Sequence, residues 1–227
     1  MSKIKKRILF LGKDKDIFSK KFITILKKKF YQVDIYLSKN FNDKPRKKLL
    51  RWKGDIIISF RNHYLLNSRM IKSAKICAIN FHPGPPEYRG IGCINFALLK
   101  NEKKYGATVH LIEKKVDNGK ILDVSYLKIK KNQNIDQILR NTYIAQISQL
   151  KKILKKLIYY KFEVKKLFIK KKWSKKLYLR KNLEKLYNIK PNLGKKKFFS
   201  ILRATNTKNF KPFIYLHGCK FKLVNEE

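Results

Sequence analysis

Acidic residues are scarce in this chain: 15 Asp and Glu stand against 57 Lys and Arg, a formal net charge of +42 over 227 residues. Cysteine is almost missing as well. Cys77, Cys93 and Cys219 form no CxxC pair and no metal-ligand spacing, and an odd count gives no disulfide framework. They support neither a zinc site nor a cysteine nucleophile; Cys77, inside an apolar run, reads as a buried thiol acting as a small hydrophobe. Glycine is sparse where a dinucleotide fingerprint would need it. After the first apolar run the chain reads Gly12-Lys13-Asp14-Lys15, with no Gly-x-Gly-x-x-Gly. Long hydrophobic runs are missing too. None approaches the ~20 residues of a membrane span. Ile8 to Leu11 is shorter than the roughly 7–15-residue core of a secretory signal. A cytoplasmic protein without a membrane partner is the expectation.

What is present is an apolar content of 44%, that of a globular chain. The length suits one full α/β domain plus a small appendage. The basic excess has two readings. Taken alone it points to nucleic acid or an anionic surface. Yet nine Arg among the 57 bases leave 48 Lys, and Arg is the preferred residue for bidentate phosphate recognition. The lysines also run the whole length of the chain alongside many Ile and Asn, as AT-rich coding produces. In either case the field draws anionic substrates inward and salt screens it.

Apolar patterning predicts alternating strands and helices. Arg7–Gly12 reads as a first strand, followed by a helix with Ile17, Phe18, Phe22, Ile25, Leu26 and Phe30 on one face. Val33–Leu37 is a second strand. A polar connection over residues 38–53 follows, carrying Asn40, Asn42, Asp43 and Pro45. Asp55–Phe60 and Ile76–Asn80 are two more strands, apolar on both faces as parallel strands under helices tend to be. Ala107–Ile112 and Ile121–Ile129 complete the sheet. Residues 134–160 carry the longest helical pattern, with Asn134 and Gln137 placed for a capping box. Lysine-dense residues 161–199 read as a basic helical linker. Residues 200–227 read as a small β unit, with a hairpin about His217-Gly218. Residues 1–160 would form the catalytic domain, a Rossmann-like, mostly parallel α/β sheet.

The chemistry concentrates in two places. Asn80-Phe81-His82-Pro83-Gly84 puts an amide and an imidazole on the same side of a strand end, because side chains alternate. Open α/β sheets build their crevices at that end. Asp117-Asn118-Gly119 supplies a carboxylate in a loop. Acyl transfer to an amine needs an oxyanion stabilised and a proton removed. An Asn amide and a protonated imidazole can both donate to the oxyanion, and a nearby carboxylate favours the donor form of the imidazole. Each residue also has an ordinary reading: a structural His, a strand-ending Asn, a plain turn.

Asn-x-His-Pro at 80–83, Tyr88-Arg89-Gly90, Thr108-Val109-His110 and Val116-Asp117-Asn118-Gly119-Lys120-Ile121 occur in that order. The chain in this respect resembles the folate-dependent formyltransferases over roughly residues 7–125. Ile201–Ala204 through Gly218–Lys220 is a weaker echo of the C-terminal segment of the sugar formyltransferases. The resemblance implies a catalytic triad at Asn80, His82 and Asp117, with N10-formyltetrahydrofolate as formyl donor and no metal. It places His110 behind the triad, a role that a packed core histidine would also explain. It implies folate contacts, mainly backbone, at Tyr64, Leu66, Ile112 and Val116. Leu65 and Leu66 also read as core residues. Arg89 and Tyr88 fall on the amine-acceptor side; an ion pair with Glu87 is the ordinary alternative for Arg89. Asn95 reads as a helix cap or a contact.

The expected acceptor is the amine of a nucleotide-linked amino sugar, because Leu37 to Asp55 leaves little room for the basic insertion of methionyl-tRNA formyltransferases. Initiator methionyl-tRNA as acceptor is the alternative, motivated by the lysines. A non-catalytic basic module is a third reading, against which the intact triad argues. A homodimer is expected from the resemblance, with the C-terminal segment serving acceptor binding or dimerisation.

Overall fold

The computed structural model describes residues 2–40, 43, 47–208 and 210–224. Asn42 and Pro45 of the expected polar connection lie outside the described residues. The chain forms two compact units: Met1–His82, Ala107–Ser125 and Tyr143–Lys172 make the first, and Pro83–Gly106, Tyr126–Thr142 and Trp173–Glu227 the second. No described helix is long and apolar enough to cross a membrane.

The first unit opens with β1 (Ile4–Lys13), α1 (Ile17–Lys29), β2 (Phe30–Ser38), the short α2 (Lys47–Leu50), β3 (Gly54–Phe60), α3 (Ser68–Lys72) and β4 (Ala74–His82). The chain continues through β5 (Arg89–Gly90), α4 (Cys93–Leu99), β6 (Lys104–Leu111), β7 (Ile121–Lys128) and α5 (Ile135–Tyr159). Six strands form a sheet in the order β2-β1-β3-β4-β6-β7. The pairs β1–β2, β1–β3 and β3–β4 are parallel and β4–β6 is antiparallel. This is a Rossmann-like, mostly parallel sheet. Period-two alternation sorts its side chains onto two buried faces. Ile8, Phe10, Ile56, Ile58, Ile79 and Phe81 join Phe22, Leu26, Leu150 and Leu157 in one core. Leu9, Leu11, Ile57 and Ala78 join Leu49, Trp52 and Met70 in the other.

Asp16 starts α1 by accepting from the Ser19 N–H at 2.8 Å, and Phe22 stacks on Phe60 at 4.1 Å. The expected helix face is corrected at both ends. Ile17 is 62% exposed. Phe30 is extended (ψ 147) and opens β2 directly, so it is buried from a strand. The expected capping box of α5 is made: Gln137 N–H donates to Asn134 Oδ1 at 2.9 Å and Asn134 N–H to Gln137 Oε1 at 3.0 Å. Burial pushes the Cys77 thiol up to about 12, which keeps it protonated and inert.

The second unit has its own core of Tyr88, Ile94, Leu98, Tyr105, Ile135, Ile138, Tyr178 and Ala204. Residues 161–199 hold a 3₁₀ turn (Val164–Leu167), β8 (Leu177–Tyr178), α6 (Arg180–Tyr187) and the start of α7 (Lys195–Thr205). β8 pairs in parallel with β5, and Tyr178 stacks on Phe96 at 4.1 Å. Residues 200–205 are therefore helical. The C-terminal hairpin begins later, as β9 (Phe213–Leu216) and β10 (Cys219–Lys222). Its two-residue turn has positive φ at both His217 (48°) and Gly218 (79°), the conformation that matches the twist of paired strands.

Candidate active site

The proline-rich run after His82 ends β4 as expected, so the strand's last residues sit at the rim of the sheet. Antiparallel pairing sets Asn80 opposite His110 and His82 opposite Thr108. Asn80 Nδ2 donates to His110 Nε2 at 3.1 Å. His110 Nδ1 lies 2.8 Å from the Leu111 carbonyl, which can only accept. Its Nδ1 therefore carries a proton.

Asp117 reaches both histidines. Its Oδ2 is 3.3 Å from His82 Nδ1 and its Oδ1 is 3.3 Å from His110 Nε2. All three side chains are buried. Asp117 itself is left-handed (φ 44°), a conformation that Asp and Asn tolerate best among residues with a Cβ. Gly119 fixes the loop, because a Cβ there would stand 1.9 Å from the Leu111 carbonyl oxygen. Leu111 N–H also donates to the Lys120 carbonyl at 2.9 Å. Gly119→Ala should therefore destabilise the fold by about 2–4 kcal/mol and displace Asp117. A urea midpoint equal to that of Asn118→Ala would contradict this account of the loop.

A cavity of about 170 Å³ opens in front of this cluster. Asn80, His110 and Asp117 line it, as do all four positions expected to meet the folate: Tyr64, Leu66, Ile112 and Val116. His82, 3.3 Å from Asp117, is outside the lining, at 4% exposure. Leu65 lines the cavity but is 73% exposed, so it is not core, whereas Leu66 packs against the second buried face. His110 is packed and also contacts Asn80 and Asp117.

Two lining residues, Ser59 and Asn62, were not legible. Ser59 pairs in register with Asn80 from the neighbouring strand, and aligning the two strand ends would have found it. Asn62 donates to the Tyr64 carbonyl at 2.6 Å. Its Oδ1 is buried and has no hydrogen-bond partner among the described residues. Glu113, Lys114 and Lys115 also line the cavity, between the expected contacts Ile112 and Val116.

The acceptor-side expectations fall in the second unit. Arg89 is buried and donates to the Ser174 carbonyl at 3.1 Å. Glu87, its ordinary alternative partner, accepts from Tyr126 Oη at 2.8 Å. Tyr88 Oη donates to Glu102 at 2.8 Å. Asn95 lies inside α4, where Gly92 is the cap, and donates to the Ala204 carbonyl at 2.7 Å, tying α4 to α7.

An amide, two imidazoles and a carboxylate at the strand ends of a Rossmann-like sheet define the catalytic domain of a formyltransferase. The Formyl transferase family model matches residues 9–154, and the chain belongs to that family. Over 144 residues it is 31% identical to the bifunctional polymyxin resistance protein ArnA of Wigglesworthia glossinidia brevipalpis, a match covering 62% of this chain and 22% of that one. It is 27% identical over 130 residues to the methionyl-tRNA formyltransferase of Staphylococcus epidermidis, covering 56% and 42%. The matches thus span less than half of either curated relative. In fold the chain is similar to an N-formyltransferase from Helicobacter canadensis, solved with folinic acid and dTDP-3-aminofucose. That similarity has a TM-score of 0.71 at 18% identity and covers 93% of this chain and 84% of that one.

Proposed function

We propose that this protein transfers the formyl group of N10-formyltetrahydrofolate to the primary amine of a nucleotide-linked amino sugar. The observation that carries the proposal is the Asn80–His110–Asp117–His82 cluster set against a cavity lined by the expected folate contacts. The donor supplies an electrophilic formyl carbon beside the cluster. The amine attacks that carbon, the bond to the donor's N10 breaks, the amine loses one proton and N10 gains one. One Asn80 N–H is held by His110, and the second N–H of the same amide is directed to the developing oxyanion. Asp117 holds the Nδ1 edge of His82, so Nε2 is the edge that donates to the oxyanion and passes the proton. A homodimer is part of this proposal, with exposed Tyr215 and Phe221 of the hairpin as apolar surface.

Asn62 tests the fit of the folate. Its Nδ2 is committed to Tyr64, which aims the unpartnered Oδ1, and an acceptor so placed suits a pterin N–H. Asn62→Ala should weaken folinic acid binding about three- to tenfold and change stability by no more than about 1 kcal/mol, since the lost bond to Tyr64 is offset by removal of an unsatisfied buried atom. Unchanged affinity by calorimetry would exclude Asn62 as a contact.

The methionyl-tRNA reading is favoured by the Staphylococcus epidermidis match and by the net charge. The deciding assay offers the folate donor with a panel of dTDP- and UDP-linked amino sugars and, in parallel, with initiator methionyl-tRNA. Formylation of the tRNA alone overturns the sugar reading; formylation of neither acceptor, with the folate bound, overturns both.

A further inference from the structure

A second concavity, of about 700 Å³, lies at the opposite ends of the same strands. Its walls are the segment leading into β3 and the helix leading into β4, held together where Gly54 N–H donates to the Ser73 carbonyl at 3.2 Å. Arg51, Lys53, Arg69 and Lys72 line it, together with Trp52 and Ser73. Among the described residues, no acid does. The catalytic cavity meets β3 at Ser59 and this groove meets it at Lys53, so the seven-residue strand separates them by roughly 20 Å.

Three further observations distinguish this groove from the diffuse charge of the chain. Arg is rare, nine of 57 bases, yet two of the four cations here are Arg, the side chain whose planar fork binds phosphate bidentately. None of the four makes a salt bridge among the described residues. The acids nearest in sequence and sheet are already engaged: Asp34 with Arg7 and Trp52, and Asp55 with Lys6 and the Arg7 N–H. Trp52 is buried beneath, its Nε1–H held by Asp34 at 2.8 Å, so the floor is fixed. Four uncompensated cations brought together on a rigid floor repel one another, and a multiply charged anion relieves that repulsion.

We propose that this groove is a second anion site, separate from the catalytic cavity, for a small ligand carrying two or more adjacent phosphates. A single phosphate meets one guanidinium fork well; only linked phosphates engage both forks and both ammonium groups at once.

The test is titration of the full chain with inorganic tripolyphosphate at about 0.15 M salt, where screening beyond ~8 Å suppresses the diffuse field. Amide NMR and calorimetry are the readouts. Amide shifts should cluster at residues 51–54 and 68–73. Arg51→Glu/Arg69→Glu should weaken binding at least about tenfold, while the charge-matched Lys151→Glu/Lys155→Glu on α5 changes it less than about twofold. Equal losses in the two variants would mean that the anion samples only the general field, and the proposal falls. It falls equally if shifts appear only around Asn80 and Asp117, or if an RNA duplex and not tripolyphosphate depends on Arg51 and Arg69. The readouts are binding alone, so the result does not depend on which acceptor is formylated.

Discussion

Replacing His82 with Asn is expected to lower turnover by about 10²–10³ while leaving a folded protein that still binds folinic acid, the magnitude typical of a lost oxyanion donor. The choice of Asn follows from the structure. His82 is 4% exposed, so truncation to Ala would leave a hole at the end of β4. An Asn side chain keeps an N–H for Asp117 Oδ2, which stands 3.3 Å from the imidazole Nδ1 in the native protein. What it removes is the far edge of the ring, the part that must reach the substrate. Because His82 does not line the cavity, the affinity for folinic acid should change little. Wild-type turnover in the folded variant would sink the triad assignment. A matched loss of turnover and folate affinity would instead make His82 a structural prop of the cavity.

The parts of this molecule that could be read from sequence share a physical cause. Ile56–Phe60 and Ile8–Leu11 are buried on both faces, and a continuous apolar run leaves a plain mark. The turn at His217-Gly218 and the capping box at Asn134 and Gln137 are local, so a few residues specify them. The shared facing of Asn80 and His82 is likewise set by strand alternation alone. The illegible parts depend on neighbours far along the chain. Phe30 reads as the last apolar position of a helix because no Gly or Pro separates α1 from β2; only the parallel pairing of β2 with β1 decides its conformation. Tyr178 sits in a lysine-dense segment, and its burial comes from Phe96, Tyr88 and a two-residue pairing with β5. Ser59 and Asn62 become site residues only once β3 lies beside β4. His110 was ambiguous in sequence because its hydrogen bond to Asn80 is a cross-strand pairing, and the register of β4 on β6 is a tertiary fact.

Asp117→Asn carries the other large effect, and it separates charge from shape. Asn tolerates the left-handed backbone of position 117, where φ is 44°, and Gly119 still pins the loop, so the fold should be retained. The new amide can keep the contact to His82, its oxygen accepting from Nδ1, which now lies 3.3 Å from the carboxylate. The negative charge alone is gone. In the proposed reaction that charge supports His82 as the proton-bearing donor, so turnover should fall about 10²–10³, with folinic acid affinity within about threefold of wild type, the scale of one altered neutral hydrogen bond. Steady-state kinetics with the folate donor and calorimetry with folinic acid separate the two quantities. Asn118→Asp, which moves a carboxylate one position along the same loop, should not restore activity when added to Asp117→Asn, because position 118 cannot bridge the two imidazoles. Recovery in that double variant would show that the chemistry needs only a nearby anion, and the bridging geometry of Asp117 would then have no catalytic role.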